Sequence, residues 1–172
     1  LSNLEPAELS FSQGLAGIAV NRRRSRPGGK PLPGPVDQDV PVLVIHTRGG
    51  KGPKGILFGY SCHTTALSGT TINGDYAGYA QIELEKRYPG SLALFVQNCG
   101  GDANPLPRLM TQDSDEALAL ASSYGKILAE GVVQAMAGTQ TKLDGPLAST
   151  YGKTELLLQP GKSAAQLRSD LP

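Results

Sequence analysis

The chain has 172 residues and a formal net charge of +1, with hydrophobic residues at 39% and charged residues at 18%. That length fits one domain, the apolar content excludes wholesale disorder, and the near-neutral balance argues against a nucleic-acid partner, whose binding modules carry a strong basic excess. No apolar stretch approaches the ~20 residues needed to cross a bilayer, so no transmembrane segment is expected.

Aromatic residues are scarce and Trp is absent, which leaves the core to Val, Leu, Ile and Ala. Leu15 to Val20 reads as a short buried strand that ends in the basic cluster "NRRRSR". Residues 22 to 41, rich in Pro, Gly and Arg, read as a loop. "VPVLVIHT" (Val40 to Thr47) is β-branched and predicts a strand. "RGGKGPKG" is its turn and Ile56 to Tyr60 the returning strand, an antiparallel hairpin. The glycines of that turn superficially resemble a phosphate loop, but the GxxxxGK[ST] order is missing and no helix follows. Asp75 is the expected N-cap of a helix through Arg87 that stops at Pro89-Gly90. Ser91 to Gln97 is a continuous apolar run of the buried-strand type. Asp113 to Ala137 predicts a long helix, with Ala117, Leu120, Ala121, Tyr124, Ile127, Leu128, Gly131, Val132 and Ala135 on one face at three-four spacing. A last strand is expected from Thr150 to Leu158, and "KSAAQLRSDLP" reads as a helix beginning. Both ends read as cuts within a longer chain, and no internal repeat is found.

Strand, helix, strand from Ile56 to Gln97 predicts two parallel strands joined by a right-handed crossover. The expected fold is therefore α/β: a mixed β-sheet flanked by helices, with residues 1–172 forming a single domain. Open α/β sheets bind ligands beyond the carboxyl ends of their strands. The loop holding His63 follows one such end, and "NCGGDANPLP" (Asn98 to Pro107) follows the other.

His63 lies among small polar residues, where a neutral imidazole can be aimed outward as a metal ligand. One histidine does not make a zinc site, which takes three or four protein ligands. His46 falls inside a strand and reads as structural. The glycines of "GGDANP" would let backbone N–H groups approach an oxyanion, with Asp102 as a base or a ligand-positioning group. The plainer reading is a tight loop satisfied by its own Asp and Asn. Arg22 to Arg26 could grip a carboxylate or phosphate, or form a solvated basic loop. No G-x-S-x-G elbow is present to make the nearby hydroxyls nucleophiles. Cys62 and Cys99 cannot build a disulfide framework; they pair with each other if their loops meet and otherwise stay thiols.

Four pieces in order resemble the neutral/alkaline ceramidase family: "NRR" after a strand, the strand "VPVLVI", "CHTTALSGTTINGDYAGYA" and "FVQNCGGDANP". The resemblance spans most of residues 13 to 108. That family consists of zinc amidases that split ceramide into sphingosine and a fatty acid. The resemblance implies that His63 is a Zn²⁺ ligand, with the remaining ligands outside this sequence. It also implies that Arg22 lies near the reacting group, that the substrate is a small molecule or lipid, and that the setting is secreted or periplasmic. The family's nucleophilic serine precedes a proline, and that position is Asn104 before Pro105. An amide cannot attack a carbonyl, so a zinc-bound water would have to attack instead, with Asn104 donating to the oxyanion and Asp102 positioning the water. Three function classes follow: part of a zinc-dependent amidase or esterase with Asn104, Asp102 and Arg22 at its centre, a non-catalytic ceramidase-like binding domain, and an anion-binding module built on Arg22 to Arg26.

Overall fold

In the computed structural model, residues 4–23, 34–68, 71–107, 115–157 and 161–170 are described. Arg24 and Arg26 of the basic cluster, Asp113 and Leu158 lie outside these residues. A five-stranded sheet runs in the order β5-β4-β3-β1-β7, formed by β1 (Ala7–Leu15), β3 (Asp39–Thr47), β4 (Pro53–Tyr60), β5 (Leu92–Gln97) and β7 (Thr141–Leu143). A two-stranded sheet pairs β2 (Ala19–Asn21) with β6 (Ala103–Pro105). The helices are α1 (Asp75–Arg87), α2 (Asp115–Ala137) and α3 (Ala164–Ser169).

The expected hairpin is present as antiparallel β3 and β4, and β4 and β5 are adjacent and parallel around α1. The mixed α/β architecture follows from these two pairings. Val40, Val42 and Val44 of β3, Ile56, Phe58 and Tyr60 of β4, and Ala93 of β5 are all buried. Their alternation puts them on one face, and both long helices cover that face. Tyr76 of α1 meets Phe95 edge-on, with ring centroids 6.3 Å apart. The long helix α2 packs over β1 and β3, burying Ala121, Leu128 and Val132. A Cβ on Gly125 would stand 2.5 Å from Tyr79 Cβ and 2.8 Å from the Tyr76 carbonyl, so glycine lets α2 touch the backbone of α1. Each fully buried Leu or Val contributes about 1.5–3 kcal/mol by leaving water, and truncating Leu128 to Ala would cost about 2–5 kcal/mol.

Four local expectations are corrected. The stretch expected as one strand from Leu15 to Val20 is the end of β1, a turn and the start of β2. Thr150 to Leu157 holds no regular structure, and the sheet's last strand is the short β7 upstream. Ile127, assigned to the apolar face of α2, is 43% exposed. Asp75 is not the N-cap: Gly74 holds that position and Asp75 is the first helical residue, with φ at +50°. Its carboxylate accepts hydrogen bonds from the backbone of Ala66, Leu67 and Tyr76, and those bonds hold it in a left-handed conformation that few side-chain-bearing residues adopt. The C-terminal helix appears as α3, capped by Ser163 and Gln166 in a reciprocal capping box.

Candidate functional site

β4 and β5 both end on one edge of the sheet, and the loops that leave them carry His63 and Asp102. A third segment reaches the same edge. After β1 the chain turns and enters β2, which pairs with β6 so that Val20 lies opposite Asn104 and Asn21 opposite Ala103. The Arg22 amide continues this ladder, donating to the Asp102 carbonyl at 2.7 Å. The Arg22 side chain then returns to the same loop, where Nε donates to the Gly101 carbonyl at 3.1 Å. Asn21 Nδ2 reaches both the Pro35 carbonyl at 3.0 Å and Asp102 Oδ2 at 3.3 Å.

The His63 amide donates to the Ala103 carbonyl at 3.0 Å, and the His63 carbonyl accepts from the Thr65 amide at 3.0 Å. The main chain therefore fixes His63 against the strand that carries Asn104. Gly100 makes this approach possible. A Cβ there would lie 2.5 Å from the Cys62 nitrogen and 2.7 Å from the Ser61 carbonyl carbon, so only glycine lets the two loops lie this close.

All four residues singled out from the sequence, Arg22, His63, Asp102 and Asn104, thus come from segments bonded to one another. Arg22 and Asp102 are exposed, His63 is half-buried, and Asn104 is buried. His46 sits at the far end of β3, opposite Pro53 and Glu8, away from this edge. Among the described residues no three His, Cys, Asp or Glu side chains gather to hold a metal. His63 alone cannot bind zinc with the three or four protein ligands the ion takes, so these residues do not build a zinc site by themselves.

Several supporting residues carried no motif. Tyr60, at the end of β4, accepts hydrogen bonds from the amides of Ile18 and Ala19. Its hydroxyl also lies 2.5 Å from the Ala16 carbonyl and from Gln38 Oε1, one of which takes its single proton. This hydroxyl pins the approach to β2 and thereby places Asn21 and Arg22. Burial pushes its pKa up to about 12 against the two amide bonds that lower it. Ser61 donates to Asp37 at 2.7 Å. Tyr76 donates to the Cys62 carbonyl at 2.6 Å, and burial drives its own pKa upward. Cys62 is a buried free thiol and Cys99 an exposed one. Burial pushes the Cys62 thiol up to about 12, which keeps it protonated and unreactive. The sequence signal for Tyr60 was its place at a strand end, a weak sign without knowledge of what packs above it.

These strands and helices define a ceramidase-like α/β fold. A solved structure similar to it is the crystal structure of neutral ceramidase from Pseudomonas aeruginosa, with a TM-score of 0.67 and 19% identity. The match covers 84% of this chain and 25% of that one, so the chain spans about a quarter of the length of the protein it resembles. No protein-family model matches the chain, and no curated protein matches it. The likeness at this identity is one of fold.

Proposed function

We propose that this domain is one part of a larger hydrolase that cleaves an amide or ester bond, with lipid amides the first substrate class to test. The observation that supports the reading is the meeting of Arg22, His63, Asp102 and Asn104 at one sheet edge, in a fold similar to that of a neutral ceramidase. Arg22, tethered through Nε, keeps its terminal nitrogens for a carbonyl or carboxylate oxygen of the substrate. Asn104, with its amide NH₂, can donate to an oxyanion and cannot serve as a nucleophile. Asp102 orients the attacking water or a substrate hydroxyl. His63 is proposed as a zinc ligand, with the other ligands supplied by residues outside this sequence; the ion would provide Lewis acidity.

The test is elemental analysis of the longest native form of the protein beside its His63→Ala variant, paired with a panel of amide and ester substrates. Stoichiometric zinc lost in the variant, together with hydrolysis, is the expected result. Folded protein without zinc in either form overturns the metal assignment.

Asn104 in place of the family's serine favours a second reading, a ceramidase-like domain that binds substrate without cleaving it. Lipid-amide binding that depends on Arg22, with no turnover of any panel member, would decide for it.

A further inference from the structure

Asn21 closes β2 and is only 5% exposed, and its side-chain amide reaches three neighbours. Oδ1 accepts from the Arg23 amide at 3.0 Å, which fixes the side of the group that is oxygen. Nδ2 therefore meets two acceptors, the Pro35 carbonyl at 3.0 Å and Asp102 Oδ2 at 3.3 Å. The three partners come from three segments: the basic cluster after β2, the approach to β3, and the loop between β5 and β6. An asparagine amide offers two donor hydrogens and one acceptor oxygen on a short stem, a set that no other side chain of its length provides.

Asp102 is exposed, and an exposed carboxylate ordinarily samples several rotamers. Here the Arg22 amide holds its main-chain carbonyl at 2.7 Å and Asn21 holds its Oδ2. Among the described residues Oδ1 accepts no hydrogen bond, which leaves one oxygen for a reactant. We infer that Asn21 is a positioning residue: it orients the Asp102 carboxylate so that Oδ1 alone meets the water or substrate hydroxyl. This role rests on the proposed hydrolase reading, in which Asp102 does that work. Asn21, buried beneath the edge, touches no reactant and acts through Asp102. A purely structural Asn21 would tie the Pro35 segment to β2 and turn the chain at Arg23, with its contact to Asp102 incidental. The two roles part in a double-mutant cycle, because residues that act through one another are not additive.

The test measures kcat and KM of the longest native form of the protein on the best amide or ester of the substrate panel. The variants are Asn21→Ala, Asn21→Asp, Asp102→Ala, and Asn21→Ala combined with Asp102→Ala. Asn21→Ala should lower kcat at least about ten-fold and leave KM within about two-fold, since the acid loses its orientation while the binding groups stay. Asn21→Asp keeps the shape and the acceptor for Arg23 but sets an oxygen against Asp102 Oδ2, and should lower kcat at least as far. On the Asp102→Ala background, Asn21→Ala should cost less than about two-fold. Circular dichroism and zinc content should match the wild type throughout. A wild-type kcat in either folded Asn21 variant overturns the inference. So does a loss that multiplies in full on Asp102→Ala, or one that accompanies lost zinc. A chain that folds with neither Asn21 variant assigns the residue to the fold alone and overturns it as well. A wild type that cleaves nothing on the panel removes the hydrolase reading and this role together, whereas an active wild type indifferent to Asn21 removes the positioning role only.

Discussion

The carboxylate of Asp75 accepts the Leu67 amide at 2.7 Å, and through this bond a helix start fixes the loop that carries His63. The Ala66 amide bonds the other carboxylate oxygen at 3.2 Å. Asp75→Ala removes these acceptors and leaves a side-chain-bearing residue at φ +50°. The expected loss is at least about 2 kcal/mol in urea unfolding. Asp75→Gly loses the same bonds but tolerates the backbone angle, so it should be the milder change. Equal losses would remove strain from the account. Amide exchange at Ala66 and Leu67 should accelerate in both variants.

Tyr60→Phe keeps the ring and removes the hydroxyl that serves Ala16, Ile18 and Ala19. Leaving buried backbone groups unpaired costs about 1–3 kcal/mol. The loss should appear in stability and in the order of residues 16–22, read from their amide exchange. Unchanged exchange there would show that β2 is held by its pairing with β6 alone.

Buried groups, Tyr124 among them, hold their protons more tightly in the folded chain. The Cys62 thiol rises from 9.0 to about 12, the Tyr60 phenol from 10.0 to about 12, and the Tyr76 phenol rises as well. Above pH 9 the unfolded chain releases these protons first. The stability they contribute is complete below pH 9 and falls as the pH climbs towards 12. Urea midpoints measured from pH 8 to 11 should decline, and Cys62→Ala should flatten the first part of the decline. A thiol reagent at pH 8 should label Cys99 at once and Cys62 only after denaturant is added.

Gly100→Ala places a methyl group 2.5 Å from the Cys62 nitrogen. The atoms it meets are backbone and cannot rotate aside. The expected cost is about 1–3 kcal/mol, together with chemical-shift changes at His63 that exceed those at His46. Changes confined to residues 99–101 would show that the glycine serves only its own turn.

The hairpin and the β4-α1-β5 unit were legible because Val, Ile and Leu runs and a clean helix stop mark them. β1 was missed for a physical reason. Its residues facing α2 are Ser10, Ser12 and Gly14, small because the helix packs so close: a Cβ on Gly14 would lie 2.2 Å from the Gly131 carbonyl. The larger Leu9 and Phe11 fall on the open face, so the hydrophobic alternation points the wrong way. Thr150 to Leu157 failed in the opposite sense. Its composition suits a strand, but Tyr151, Leu156 and Leu157 remain 86%, 83% and 97% exposed, and no strand among the described residues pairs with them. The placing of the His63 and Asp102 loops at one sheet edge followed from strand direction alone. The bond of Asp75 to the loop did not, because Asp before a helix is ordinarily a cap.

Val20 and Asn104 face each other through their main chains, and His63 is tied to the neighbouring Ala103 in the same way. Main-chain N–H and C=O groups, which every residue except proline supplies in full, carry that scaffold. A substitution at position 104 therefore leaves these main-chain pairings in place. A hydroxyl can be introduced there by a single substitution while the frame around it stands still. Asn104→Ser with an unchanged melting temperature would show the side chain and the frame to be separable.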